Sequence, residues 1–213
     1  MMLEPEVEAR PWEEQLALDD ESYRVQLVYL LERSAFYREK LGFEDARDAG
    51  GLAGIAQLPL TEKDELRATR TTENPVGAHL CADAGEIVRI YSTSGTTGAP
   101  SYIPLTAGDL DNWVTGSARS YAASGIAAGQ RIVSTYNAGP FVAGAALASF
   151  DRIGLCHIPV GTGNTERLVK AVELLRPEAV VLTPSYAAHL VEGAAERGRD
   201  LRGSSVERVL VAG

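Results

Sequence analysis

The chain has 213 residues, enough for one sizeable core, or for one domain with an appendage. Apolar residues make up 45% and charged residues 23%, the balance of an ordinary soluble globular protein. A net charge of -9 and a pI of about 4.9 argue against a nucleic-acid partner, because phosphate backbones attract basic surfaces. A nucleotide needs only a local anion site and stays open.

The opening residues, Met-Met-Leu-Glu-Pro-Glu-Val-Glu, are acidic where a signal peptide would be basic, so a cytoplasmic protein is expected. Residues 1–85 read as a helical N-terminal segment. Tyr23, Leu27, Leu30 and Leu31 recur at helical spacing and predict a helix over 20–33. Ser34 to Leu41 predicts a further short helix, ended by Gly42. Leu58-Pro59-Leu60 leads into Thr61-Glu62-Lys63-Asp64, which has the form of a capping box.

From residue 86 to the end, strands and helices alternate. Strands are predicted at 86–91, 131–136, 154–160, 179–183 and 208–211. Helices are predicted at 107–124, 141–150, 165–176 and 184–197. Leu110, Trp113, Val114 and Tyr121 share a face of the first of these helices. Leu168, Val169, Val172 and Leu175 point inward from the third, with Thr165 as its cap. Strand–helix units of this length imply an open, mostly parallel α/β sheet with helices on both faces. The expected domains are thus 1–85 and an incomplete α/β subdomain, 86–213. Ligands of such sheets sit at the carboxyl ends of the strands. Loops at 92–101, 137–140 and 161–164 are the candidates.

Several residues read as structural. Cys81 and Cys156 have no CxxC or His/Cys cluster around them, which excludes a disulfide scaffold or zinc site and suggests small buried hydrophobes. His157 and His189 have no nucleophile or paired base nearby in sequence. Ser185 lacks the Gly-x-Ser-x-Gly setting of a hydrolase elbow. The longest weakly polar run, Ala138 to Phe150, has 13 residues, against roughly 18 for a membrane span.

The loop Tyr91-Ser92-Thr93-Ser94-Gly95-Thr96-Thr97-Gly98-Ala99-Pro100 carries the chemistry. Its glycines permit tight turns and close approach to an anion. Hydroxyls from Ser92, Ser94, Thr96 and Thr97 supply donors, and exposed backbone N–H groups form a nest for phosphate oxygens. It lacks the Gly-Lys-Ser/Thr ending of a Walker A loop.

Ser94-Gly95-Thr96-Thr97-Gly98-Ala99-Pro100 resembles the phosphate loop of acyl-adenylate-forming enzymes. Further segments resemble one branch, the phenylacetate–CoA ligases. They are Ala35 to Leu41, Leu58 to Lys63, Tyr136 to Phe141, Gly163 to Arg167 and Leu182 to Ala187. The resemblance covers residues 24–213 in order. It implies adenylation of an aryl or other organic acid by MgATP, then transfer to coenzyme A or to a carrier-protein thiol. It further implies that Ser92, Ser94, Gly95, Thr96, Thr97 and Gly98 hold the β- and γ-phosphates, and that Tyr136, Gly139 and Phe141 line the acid pocket. For Tyr136 and Phe141, closing the core at a strand end is the alternative reading. One departure is Ala99, where the family usually has lysine, so a positive charge is missing from the loop.

The family's adenine loop, its acidic Mg²⁺ residue, its ribose aspartate and its catalytic lysine are expected beyond Gly213. The chain closes on Val211-Ala212-Gly213, directly after a strand, so a truncated product or fragment with little activity is expected. The alternative is a non-catalytic nucleotide-binding or association module, which would dimerise through its open sheet edge.

Overall fold

The computed structural model describes residues 1–43, 45–93, 100–136, 143–196, 198, 199 and 201–211. The chain divides into two compact units. One holds residues 5–109, and the other holds residues 1–4 with 110–213.

In the first unit, α1 (Pro5–Glu8) precedes the long α2 (Trp12–Arg33). The second helix begins eight residues before its sequence signal. Glu13 and Glu14 favour its first turn, where acidic side chains meet the positive end of the helix dipole. Trp12, Leu16 and Leu18 are exposed, so no buried stripe marks that early stretch. Leu27 and Leu31 are the buried positions. Ser34 separates α2 from α3 (Ala35–Leu41), which ends at Gly42 in the left-handed conformation. Short 3-10 turns at Ala46–Ala49 and Leu52–Gln57 lead to α4 (Lys63–Ala68). Its capping box is formed by Glu62 and Glu65, one residue later than the sequence pattern suggested.

A 3-10 turn, Ala84–Glu86, opens β1 (Ile87–Ser92), which pairs antiparallel with β2 (Tyr102–Thr106) as a separate two-stranded sheet. The sequence reading placed the first strand but missed β2. Pro104 lies within it and argues against a strand by composition. Only one side of β2 is paired, and such an edge tolerates a residue without an amide hydrogen.

The helix α5 (Ala107–Ala123) leads into the second unit. There β3 (Arg131–Ser134), α6 (Ala143–Ile153), β4 (Cys156–Pro159), α7 (Thr165–Leu175), β5 (Ala179–Leu182), α8 (Pro184–Glu196) and β6 (Arg208–Val211) follow in order. The four strands form one parallel sheet in the order β4-β3-β5-β6.

Successive strand residues point to opposite faces. Ile132, Ala179 and Val181 therefore join one core with Ala118, Ile126, Leu147, Phe150, Ile153 and Leu155. Val133, Val180 and Leu182 join another with Val160 and Leu168, with Val172, Ala187 and Leu190 packed against it. Helices α5 and α6 thus serve one face and α7 and α8 the other, as a doubly covered parallel sheet requires.

The apolar stripe of α5 is narrower than predicted. Val114, Ala118 and Ala122 are buried, while Leu110, Trp113 and Tyr121 are only partly covered. On α7, Leu168 is buried but Leu175 is exposed. Among the described residues no helix is long and apolar enough to cross a membrane.

Candidate functional site

The glycine-rich loop springs from the hairpin of the first unit. Ser92 ends β1 in register with Tyr102 of β2. The next pair closes the stem with two hydrogen bonds. The Thr93 N–H donates to the Ser101 carbonyl at 2.9 Å, and the Ser101 N–H donates to Thr93 Oγ1 at 2.9 Å. Ser94, Gly95, Thr96, Thr97 and Gly98, the core of the predicted phosphate site, lie outside the described residues, as does Ala99. Of the six phosphate candidates, Ser92 is described, at the strand end where the loop departs.

Sequence reasoning missed Arg70. Its Nη1 donates to the Pro100 carbonyl at 2.8 Å, and its guanidinium carbon lies 5.8 Å from the centroid of the Tyr102 ring. Its Nε is buried without a hydrogen-bond partner, and so is Ser101 Oγ. Among the described residues no carboxylate pairs with Arg70. Burial, then the charge of Arg70, hold His79 below the usual histidine range. The residue types at 92–101 were legible as a loop, but nothing in the sequence ties it to an arginine 30 positions upstream.

In the second unit, the carboxyl edge of the parallel sheet gathers a second set. Tyr136 follows β3, packs against the α5/α6-side core and donates its hydroxyl to the Leu182 carbonyl at 3.1 Å. It therefore closes the strand end. Gly139 and Phe141, its predicted companions in an acid pocket, lie outside the described residues.

Gly161 and Gly163 both have positive φ and turn the chain after β4. Asn164, not Thr165, caps α7, accepting from the Arg167 N–H through Oδ1 at 2.8 Å. The Thr165 hydroxyl is thereby free to meet the Tyr186 hydroxyl at 3.1 Å. Thr183 Oγ1 accepts from the Tyr186 N–H at 3.3 Å and lies 3.2 Å from Ser185 Oγ. Tyr136, Thr165, Thr183, Ser185 and Tyr186 thus gather at one sheet edge, and their hydroxyls mostly serve one another or a backbone carbonyl.

The two histidines have structural partners. His157 Nε2 lies 2.7 Å from Ser134 Oγ, and its ring meets Phe150 edge-on at 4.9 Å. Ser134 is fully buried, which denies this Ser–His pair any substrate. His189 stacks on Tyr186. Cys156 is exposed, contrary to the expectation of a buried hydrophobe, because it faces outward at the start of edge strand β4. No cluster of three or more His, Cys, Asp or Glu suited to a metal ion occurs among the described residues. A cavity of about 500 Å³ lies between α7, α8 and the 201–206 segment, but Val172, Leu190 and Val206 make it chiefly an apolar inter-helix groove.

No family model matches the chain. It is similar to the phenylacetate–coenzyme A ligase of Thermus thermophilus, with 35% identity over 201 residues, covering 93% of this chain and 44% of that protein. It is also similar to the phenylacetate–coenzyme A ligase of Escherichia coli K12, with 31% identity over 189 residues, covering 87% and 42%. A crystal structure of 2-hydroxyisobutyryl-CoA ligase with 2-HIB-AMP and CoA in the thioesterification state superposes with a TM-score of 0.86 at 27% identity. That match covers 95% of this chain and 44% of the other. The chain spans less than half the length of these relatives.

Proposed function

Homology to phenylacetate–coenzyme A ligases runs through nearly the whole chain, and from that premise we propose that it carries the phosphate loop and part of the acid pocket of an ATP-dependent acid–thiol ligase. The reaction has two steps. An acid carboxylate attacks the α-phosphate of ATP and expels pyrophosphate, and a thiol then displaces AMP from the acyl carbon. Coenzyme A is the proposed thiol, with a carrier-protein thiol as the other acceptor, and the acid is a small, aryl-type carboxylic acid. Such chemistry rests on positioning and on charge stabilisation of the transferring group.

The observation that carries this reading is the hairpin stem closed between Thr93 and Ser101, on a chain 35% identical to a ligase. Ser92, Ser94, Gly95, Thr96, Thr97 and Gly98 receive the β- and γ-phosphates, and Tyr136, Gly139 and Phe141 face the acid. Mg²⁺ enters with the nucleotide. The chain spans less than half the length of these relatives, and we expect little ligase activity from the 213 residues alone.

A second reading, a non-catalytic nucleotide-binding or association module, is favoured by one feature. Residues 91–102 contain no lysine, arginine or histidine. Acid-dependent exchange of labelled pyrophosphate into ATP separates the two. The expected result is exchange in a version extended to the full length of the relatives, with one acid preferred, and none in the 213-residue chain. Absence of exchange in both, with folded protein and Mg²⁺ present, would replace the ligase by the module.

A further inference from the structure

The cavity of about 500 Å³ between α7, α8 and the 201–206 segment has a size typical of small-molecule pockets, roughly 300–1,000 Å³. Val180 and Leu182 of β5 give it a buried apolar floor, and Val172, Leu190 and Val206 line it further. No aromatic side chain is among its lining residues, so it suits a flexible aliphatic body better than a flat ring that needs a stacking partner. Its charged lining residues are Glu173, Arg176 and Arg199. Two arginines against one glutamate leave one positive charge in excess, on a chain whose net charge is -9. Glu173 is paired with Arg199, at 3.3 Å. Among the described residues no carboxylate pairs with Arg176.

Arg176 is unusual in its backbone as well. It ends α7 with a φ of 47°, its N–H donating to the Val172 carbonyl at 3.1 Å. Among the described residues it is the one non-glycine with a positive φ. Glycine or asparagine ends a helix in this conformation with less strain. A cation there does meet the negative end of the helix dipole, but that attraction asks for no cavity beside it. From this geometry we propose that the cavity is an accessory binding site for a medium-chain aliphatic monocarboxylate. The chain lies between α7 and α8, and the carboxylate is held by the Arg176 guanidinium, whose planar fork matches it. Arg176 leads into β5, at the amino end of the sheet, opposite the carboxyl edge where Tyr136, Thr183 and Ser185 gather. The site is therefore separate from the proposed acid pocket and independent of the phosphate-loop reading.

The test measures binding of octanoate, butanoate and octylamine by calorimetry, with circular dichroism to verify folding. It uses the full 213-residue chain, its Arg176→Asn, Arg176→Lys and Val209→Trp variants, and the version extended to the full length of the relatives. Octanoate should bind at one site. Butanoate, which buries four fewer methylenes, and octylamine, which carries the wrong charge, should each bind about tenfold or more weakly. Asparagine accepts the left-handed conformation and loses the charge, so Arg176→Asn should cost about tenfold in octanoate affinity without lowering Tm. Arg176→Lys should retain most of the affinity. Val209 is exposed and lines the cavity, so Val209→Trp fills the space from a position that the core does not need, and should abolish binding.

No octanoate binding, or equal binding of octylamine, overturns the proposal, as does unchanged affinity in folded Arg176→Asn and Val209→Trp. Binding that the 213-residue chain shows and the extended version lacks also overturns it, and assigns the groove to packing within a longer fold. Self-association of the chain that octanoate dissolves would assign the groove to a second copy instead. None of these outcomes bears on pyrophosphate exchange, so the ligase reading stands or falls separately.

Discussion

Gly77 has a φ of 114°, a backbone conformation that residues with a Cβ rarely adopt. A Cβ there would also lie 2.6 Å from Thr69 Oγ1, 3.0 Å from His79 Nδ1 and 3.1 Å from the Leu66 carbonyl. Thr69 cannot easily yield. Its hydroxyl donates to the Leu66 carbonyl at 2.8 Å and accepts from the Ala78 N–H at 2.9 Å. Gly77→Ala combines backbone strain with at least one broken hydrogen bond, so a loss of about 3 kcal/mol is expected. In a protein of this size that corresponds to a fall in Tm of roughly 6–12 °C. An unchanged thermal melt would show that the 69–79 segment relaxes freely. Residue-scale features of this kind were not legible in the sequence. Gly77 is one of 21 glycines, and its partners lie on a turn that only the folded chain closes.

At the scale of elements, local chemistry decided what could be read. Ser34, Gly42 and the Glu62/Glu65 box mark helix ends through side chain–backbone bonds within a few residues, and sequence reasoning found all three boundaries to within one residue. The strands of the parallel sheet were legible because apolar runs such as Ala179–Leu182 are bounded by turns. The early part of α2, the strand β2 and the cap of α7 were not. In each, the deciding factor was an exposed apolar face, an unpaired edge or a competing neighbour with a better side chain. Ser34 shows how much one cap can hold. It is 1% exposed, its Oγ donates to the Ala78 carbonyl at 2.9 Å, and it accepts from the Tyr37 N–H at 3.4 Å. It thus joins α2, α3 and the 69–80 segment. Ser34→Ala removes the donor to the Ala78 carbonyl together with the cap of α3, at a cost of about 1–2 kcal/mol. Denaturant melts that place the variant within 0.3 kcal/mol of the parent, roughly the scatter of neutral surface changes, would show that water replaces the hydroxyl.

Across the whole molecule, titrating groups of both units pull in one direction on the acid side. Burial lowers the pKa of His157 and, with the charge of Arg70, that of His79 below the ordinary 6.5. The unfolded chain takes up protons that the folded chain resists, so stability declines as the pH falls below 6.5. The carboxylates act lower down. Hydrogen bonds from Arg47 bring Asp45 from 3.8 to about 2, and those from Leu52 and Arg24 lower Asp20. Backbone hydrogen bonds, from the Glu62 amide and from the Arg131 amide, lower Glu65 and Glu178 below 4.5. Their contribution is present above those ordinary values and is lost as the pH falls through the folded ones. On the alkaline side, burial raises Cys81 above 9.0 and Tyr37 and Tyr121 above 10.0. Their neutral forms favour folding, and that advantage is lost as the pH rises through the raised values. The expected curve of Tm against pH therefore has a plateau between about 6.5 and 9, with decline on both sides, and not a maximum at the pI of about 4.9. Replacing His79 and His157 together by Gln should extend the plateau downward toward 4.5 while leaving the carboxylate decline in place. A Tm that peaks near pH 5, or an acid limb unchanged in the double variant, would mean that these histidines are not held neutral by burial, and the packing of His157 against Phe150 and Ser134 would lose its electrostatic consequence.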